Sequence, residues 1–287
     1  MPRPQVDLRK KISEVLQHVD LLPEAAEYPL PHYKRSVTDV WNLRDYLHRK
    51  IKGTSFYEKV ANAHMTALDQ MVLVNLIEAF ERFLKETAAV CADHLVKRVL
   101  DDRFDEFQIR GSLLAAHFGA DSVGKSLCES STWLDCDSIN RRFRRLLADP
   151  FDPQKGDFYV FPGKKQEPGA ERFRYDIISL LWQVRHTIVH NVGVVTQSDA
   201  IKFRLLVGRS VQAPRVLTPT REDVRYVKRF LDETAARVNQ RVGERLAELL
   251  TTLHSENLDL FQPSEEAGLV AEDFGIAVDI AGAHGAP

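Results

Sequence analysis

One arginine and two histidines stand close together in the segment RHTIVH, which runs from Arg185 to His190. An unperturbed histidine has a pKa of about 6.5, so His186 and His190 can each take up or release a proton near neutral pH. The guanidinium group of Arg185 stays charged and binds phosphate oxygens through a planar fork of N–H groups. These residue types could support acid–base chemistry on a phosphate ester, because histidine can move the protons while arginine stabilises the charged transition state.

We expect His190 to be the general acid or base and Arg185 to be the phosphate clamp. His186 is a second candidate that could orient His190 or contact phosphate. Asn191 could hydrogen-bond the scissile region, and Glu78, in an earlier helical segment, could hold Arg185. On an ideal helix Arg185 and His190 lie about 140° apart. That angle is poor for one tight site in a single protomer.

The segment from Phe173 to Gly193 is predicted to form one helix, terminated by Asn191 and Gly193. At about 100° per residue, one stripe of this helix is apolar and is expected to face the core: Phe173, Ile177, Leu180, Leu181, Val184 and Ile188. The opposite side carries a different set, which is unusual for a solvated helix: Trp182, His186, Val189 and His190. We expect this side to meet a partner helix or to line a cleft. The alternative is a helix buried on both sides, with hydrogen-bonded histidines.

The rest of the chain is predicted to be helical as well. Apolar spacing and the absence of internal proline predict further helices at 5–18, 33–51, 68–100, 138–148 and 220–250. Ser138 is the expected N-cap of the fourth, and Thr220 to Asp223 resembles a capping box for the last. Strand signals are weak and confined to 158–161 and 215–217. The sequence therefore predicts an all-α bundle with a long loop at about 150–170.

Composition points to a globular protein in a reducing compartment. The chain has 287 residues, of which 44% are hydrophobic and 28% charged, values ordinary for a folded domain. Its three cysteines, Cys91, Cys128 and Cys136, are too few for a disulfide framework and are expected to be buried. We find no membrane span and no secretory signal, and we expect a cytoplasmic protein.

The distribution of charge separates an acidic tail from a mildly basic body. Residues 263–287 contain five acidic residues and no lysine or arginine, so residues 1–262 carry a formal charge of +3, against −2 for the whole chain. We divide the chain into an N-terminal helical extension at 1–55, a helical domain at 56–262 and a tail at 263–287 that could be flexible. A basic body permits an anionic partner but does not demand one.

The motif in its context resembles a known family. Arg185 and His190 fit the R-x4-H pattern of the HEPN superfamily of all-α nucleotide-binding and ribonuclease domains. The earlier helix contains Asn75, Glu78, Phe80, Glu81 and Phe83, which is similar to the first core helix of many HEPN proteins. The stretch from Thr132 to Phe143 also resembles a connecting segment of a bacterial branch. The resemblance covers roughly 68–250, and it departs from the family where His186 follows the arginine, since asparagine is commonest there.

The resemblance implies an HEPN-like up-and-down helical bundle and a metal-independent endoribonuclease that needs no cofactor. Such enzymes leave 2′,3′-cyclic phosphate and 5′-OH ends. They act as homodimers in which two motifs meet in one cleft, often as toxins or in anti-phage defence, restrained by an inhibitory protein or antitoxin. A catalytically silent HEPN-like module that binds nucleotide or protein remains the alternative.

Three other patterns carry competing hypotheses. Arg141, Arg142, Arg144 and Arg145 form a basic patch that could contact the RNA backbone, or could be a solvated face or a docking site for the acidic tail. The segment 119–126 matches the Walker A pattern of a P-loop, but without the strand and sheet that a P-loop needs. His186 and His190 also have metal-ligand spacing, but a third ligand would have to come from elsewhere, such as His94, His117 or Cys91, and no spacing points to one.

Overall fold

The computed structural model describes residues 28–52, 58–95, 124, 128, 133–148, 157–163, 170–208, 212–256 and 263–277. Seven helices are present in these ranges: α1 (Pro29–Lys52), α2 (Glu58–Leu95), α3 (Cys136–Leu147), α4 (Ala170–Asn191), α5 (Gln197–Val207), α6 (Arg221–Glu256) and α7 (Pro263–Phe274). The only strands in the same ranges are β1 (Val194–Val195) and β2 (Arg215–Val216), which pair antiparallel. The prediction of an all-α fold is confirmed, whereas the predicted helix at 5–18 lies outside the described residues.

Helix α2 is the centre of the bundle. It packs against α1, α3, α4 and α6, and apolar residues on more than one of its sides are buried, including Leu76, Ile77, Phe80, Phe83 and Leu84. A helix that is apolar on several sides is stable only when it is surrounded. The sequence predicts this helix at 68–100. In the structure it begins earlier, at Glu58, and its described part ends at Leu95.

Helix α1 shares the core of α2. Tyr33 and Val37 of α1 are almost completely buried in the same apolar cluster as Phe80 and Phe83. A buried ion pair also joins the two helices, since Nε of Arg44 donates to Oδ1 of Asp69 at 2.8 Å. The part of the N-terminal extension that the structure describes therefore packs directly onto the following helix.

Helix α6 has the start and the apolar stripe that the sequence predicts. The side chain of Asp223 accepts from the backbone N–H of Thr220 at 2.8 Å, and the Asp223 N–H donates to the Thr220 hydroxyl. This reciprocal pair is a capping box. The buried residues then follow at helical spacing: Val224, Leu231, Ala235, Val238, Val242, Leu246 and Leu249. Val227 follows the same spacing and is only partly buried.

The acidic segment contributes to the core. Residues 263–274 form α7, which packs on α6 and buries Ala267, Val270 and Phe274. The amide of Asn239 donates to the Phe274 carbonyl at 2.6 Å. The net charge of this segment suggested a tail that could be flexible. Its three buried apolar residues, at helical spacing, instead hold it against α6. Of the acidic residues whose side chains are described, Glu272 is exposed and Asp273 contacts Nε2 of His94 at 2.8 Å.

Two local predictions were wrong. Helix α3 is capped by Asp135, whose side chain accepts the Ser138 N–H at 2.8 Å, rather than by Ser138. Residues 158–161 form no strand. Phe158 and Phe161 are buried in the bundle, and the side chain of Asn140 holds the Phe161 backbone through two 2.8 Å hydrogen bonds. Burial of two aromatic side chains thus replaces strand pairing as the anchor of this loop.

Candidate functional site

The R-x4-H motif lies on the last two turns of α4, and a tight backbone turn fixes the end of this helix. The N–H of Gly193 donates to the Thr187 carbonyl at 3.1 Å, a bond that closes a turn beyond the last residue of the helix. Val192 and Gly193 have positive φ angles of 52° and 76°. The predicted termination by Asn191 and Gly193 is confirmed, with Val192 as an additional left-handed residue.

Gly193 also allows a close approach between the helix end and α2. A Cβ at Gly193 would lie 2.5 Å from Nε2 of Gln70. That nitrogen donates to the Leu217 carbonyl at 2.7 Å, and the Leu217 N–H donates to the Gly193 carbonyl at 2.8 Å. The end of α4 is therefore fixed to α2 and to the strand pair within three residues of His190.

A cleft of about 250 Å³ lies along α4 and collects most of the candidate residues. Helix α4 lines it with six side chains: Ser179, Trp182, Gln183, Arg185, His186 and His190. The start of α3 adds Leu134 and Asp135, and α5 adds Leu206. Arg185 and His190 thus reach one cleft of a single chain, although they point in different directions from the helix axis.

Arg185 is held in place beside this cleft. Its Nη2 donates to Oε1 of Glu78 on α2 at 2.9 Å, and its side chain is mostly buried. The Nε–H of Arg185 is buried and has no acceptor in the described part of the chain. The ion pair that the sequence analysis anticipated is present. Because the Nε nitrogen is buried, it is closed to a ligand in the cleft in the present conformation.

The two histidines stand next to each other on the exposed side of α4. Their ring centroids are 4.7 Å apart and their planes are inclined by 41°. Both residues are exposed at the cleft, so a substrate could reach either ring. Two adjacent imidazoles can occupy complementary protonation states, as an acid–base reaction requires.

Asn191 does not share this cleft. Its Nδ2 donates to Oδ2 of Asp199 at 2.8 Å, and the Gln183 side chain donates to Oδ1 at 2.9 Å. Asp199 is almost completely buried and forms a capping box with Thr196 at the start of α5. Asn191 therefore joins α4 to α5, and its expected contact with the scissile region remains a prediction.

Asp199 is a functional candidate that the sequence analysis missed. Burial raises the pKa of this carboxyl group, but hydrogen bonds from Thr196 and Asn191 and the nearby charge of His186 outweigh burial and lower the pKa below its ordinary value. The carboxylate therefore stays charged near His186. The pattern Thr-x-x-Asp at 196–199 was the available signal, since it is typical of a helix start.

The orientation of α4 differs from the predicted one. Trp182, expected on the free side, is 7% exposed and stacks near Phe80 with a centroid distance of 6.3 Å. Phe173, expected in the core, is 61% exposed. Leu181 is buried as predicted, and Ile178 and Trp182 are buried beside it, because α2 approaches the helix on that side. Trp182 therefore forms the inner wall of the cleft and cannot serve as an exposed interface residue.

The basic patch on α3 is partly engaged within the chain. Arg142 lies 4.9 Å above the Trp133 ring, and Arg144 donates to the Tyr159 hydroxyl at 3.5 Å. Arg141 and Arg145 are exposed, and Arg141 donates weakly to the Ser138 hydroxyl. Phe143 points inward and is completely buried. A role of these four arginines in RNA binding stays a prediction.

The described residues give the competing hypotheses little support. Gly124 of the Walker A-like segment is helical, donates its N–H to Oδ1 of Asp93 at 2.7 Å, and packs on the Ala89 backbone. An amide bound to a carboxylate does not cradle phosphate, and the rest of 119–126 lies outside the described residues. In the described ranges, no three His, Cys, Asp or Glu side chains are grouped as a metal site would require.

No protein-family model, curated protein or solved structure matches this chain. None of the helices in the described ranges is both long enough and apolar enough to cross a membrane.

Proposed function

We propose that this protein is a metal-independent endoribonuclease of the HEPN type. The observation that supports this most strongly is the convergence of Arg185, His186 and His190 on one cleft. The resemblance to the HEPN motif supports the same reaction. A cytoplasmic toxin or anti-phage role, restrained by an inhibitory protein, follows from the resemblance and belongs to this proposal.

The reaction needs two proton transfers and one site for negative charge. Neutral His190 takes the proton of the 2′-OH, the 2′-oxygen attacks the adjacent phosphorus, and the bond from phosphorus to the 5′-oxygen breaks. A protonated imidazole, either His186 or the histidine of a second protomer, gives its proton to the leaving 5′-oxygen. Arg185 stabilises the additional charge on the phosphoryl oxygens. The products carry a 2′,3′-cyclic phosphate and a 5′-OH.

Glu78 acts through Arg185 in this proposal. The 2.9 Å ion pair fixes the guanidinium group before substrate arrives, and a pre-organised donor loses little entropy when it binds. Glu78 also reduces the net positive charge of the cleft, so phosphate binding relies on the directed N–H groups of Arg185.

Exposed apolar side chains near the motif support the homodimer. Val189 and Val192 of the α4 end and Ile201 and Leu205 of α5 are all exposed. Large apolar residues grouped near a site are typical of a protein interface. A second copy of the chain that covers this surface would bring two motifs into one composite site.

Cleavage of total RNA and tRNA by purified protein in EDTA tests the proposal. We expect His190→Ala to lower the rate by about 10²–10⁴-fold and Arg185→Ala by about 10²–10³-fold. Arg225→Ala is the matched control, because Arg225 is exposed and pairs only with Glu222 among the described residues. End-group analysis should find 2′,3′-cyclic phosphate.

Two results would contradict the proposal. Cleavage that survives both substitutions would place the reaction elsewhere. A complete lack of cleavage, together with retained nucleotide or protein binding, would favour the silent HEPN-like module. ATP-stimulated activity that Lys125→Ala abolishes would instead support a P-loop protein.

A further inference from the structure

The proposed ribonuclease cleft contains an acidic residue that its phosphate chemistry does not explain. Asp135 is exposed and lines the cleft together with Arg185 and the two histidines. Its Oδ2 accepts the Ser138 N–H at 2.8 Å, as the N-cap of α3. Its Oδ1 forms no hydrogen bond in the described part of the chain. A carboxylate repels phosphate. The Asp135 carboxylate therefore suits a ligand group that donates hydrogen bonds.

We propose that the cleft binds a guanine base of single-stranded RNA, and that the Asp135 carboxylate accepts the N1–H and N2–H groups of this base. The inference rests on the proposed function, because it names the base that the ribonuclease cleft selects. Asp135 is a specificity-determining residue in this proposal and takes no part in the proton transfers.

The hydrogen-bonding edges of the four bases favour guanine over the others. Guanine presents two adjacent donors on its Watson–Crick edge, which match the two oxygens of a carboxylate. Adenine and cytosine present one amino group beside a ring-nitrogen acceptor, and uracil presents one imino group between two carbonyls. A carboxylate opposite those edges meets at least one acceptor, which repels it. The bond from Ser138 does not block Oδ2, since each carboxylate oxygen has two lone pairs.

The other walls of the cleft fit the rest of a guanine nucleotide. Leu134 and Leu206 provide apolar surface for the faces of a base, and the adjacent rings of His186 and His190 provide a stacking surface. The Ser179 hydroxyl adds a polar group to the same cleft. Arg185 remains available for the phosphate of the same nucleotide.

Binding of the four nucleoside 3′-monophosphates, measured by calorimetry or NMR titration in EDTA, tests this inference. We expect the wild-type chain to bind guanosine 3′-monophosphate about 5- to 150-fold more tightly than the other three, the range for a bidentate base contact. Asp135→Asn should reduce this preference to within about twofold. It should keep the fold, because asparagine caps helices as well as aspartate does.

Asp137→Asn is the matched control. Asp137 is exposed two residues further along, accepts from the Tyr175 hydroxyl at 2.7 Å and does not line the cleft. We expect this variant to keep the guanine preference, and Arg185→Ala to weaken all four nucleotides to a similar extent. Equal binding of the four nucleotides, a lack of binding by all of them, or a guanine preference that Asp135→Asn retains would overturn the inference.

The cleavage assay separates this inference from the proposed function. If RNA is cut in EDTA without guanine preference, the ribonuclease proposal stands and the role of Asp135 is refuted. If guanosine 3′-monophosphate binds selectively through Asp135 but no RNA is cut, the binding site stands and the enzymatic proposal falls. Cleavage next to guanine in the wild type, and at other bases as well in Asp135→Asn, would support both.

Discussion

Alanine at Gly193 is expected to lower the free energy of unfolding by about 1.5–3.5 kcal/mol. Gly193 has a φ of 76°, and a side chain in this left-handed region costs about 1–2 kcal/mol. The new Cβ would also lie 2.5 Å from Nε2 of Gln70. Gln70 would have to move and lose its 2.7 Å hydrogen bond to the Leu217 carbonyl, which contributes about 0.5–1.5 kcal/mol.

Gly208 provides the control for the backbone contribution. It has a φ of 71°, and nothing lies within 4 Å of a Cβ built there. Gly208→Ala should therefore cost only the conformational part, about 1–2 kcal/mol. Urea unfolding followed by circular dichroism gives both values, and the difference between the two variants is the contribution of Gln70.

A double-mutant cycle completes this test. In a Gln70→Ala background, the side chain that would clash with the new Cβ is absent, and so is its hydrogen bond to the Leu217 carbonyl. Gly193→Ala should then lower the free energy of unfolding by no more than Gly208→Ala does. Equal costs of the two alanine variants in the wild-type background, within about 0.3–0.5 kcal/mol, would refute the reasoning. If the ribonuclease proposal is correct, Gly193→Ala should also lower RNA cleavage, because Gly193 fixes the helix end that carries His190.

Three further predictions follow from burial and backbone geometry. Val192→Gly should raise the free energy of unfolding by about 1 kcal/mol, measured in urea, because Val192 has a φ of 52° and is 82% exposed; an unchanged or lower value would contradict this. Burial raises the pKa of Asp199, but accepted hydrogen bonds outweigh it and lower the pKa below the ordinary ~3.9. The stability this carboxylate contributes is therefore present above that pH and is lost as pH falls through the lower folded-state pKa. Asp199→Asn should flatten the pH dependence of urea unfolding below about pH 4, and an unchanged pH profile would speak against this. Burial raises the pKa of Cys128 and Cys136 to about 12 and that of Cys91 well above its ordinary value. A disulfide reagent at neutral pH should therefore label these thiols only after denaturation. Rapid labelling of the folded chain would contradict this prediction, because it would show that the thiols are accessible.

Helices with long apolar repeats could be predicted from the sequence, because a long apolar stripe is stable only when it is buried against neighbouring helices. The stripe of α6 and its capping box at Thr220 are the clearest examples. Helix α5 was missed, although Thr196 and Asp199 mark its start. It is short and buries only Asp199, Ala200 and Phe203, so its apolar period is weak. The acidic α7 was missed because its charge outweighed its three buried apolar residues in the analysis.

The site was harder to predict than the helices, because its geometry depends on neighbours that are distant in sequence. The spacing of Arg185 and His190 identified the segment, and the pairing with Glu78 could be anticipated. The rotation of α4 about its axis could not be predicted, since Phe173 and Trp182 both fit an apolar stripe. Trp182 is the buried one because Phe80 of α2 packs beside it. Asp135, the residue before α3, also lines the cleft. No spacing within the α4 segment points to it.

Docking of α7 onto α6 has a consequence for synthesis of the chain. The contacts of α7 reach Tyr28 and His94, which are 244 and 179 residues away from their partners in sequence. At about 5–20 residues per second, roughly 1–4 s separate the synthesis of residue 256 from that of residue 274. During this interval a nascent chain exposes the groove of α6 that Val270 and Phe274 later fill. A chain that lacks residues 263–274 would therefore expose this apolar face of α6 to chaperones or to other chains.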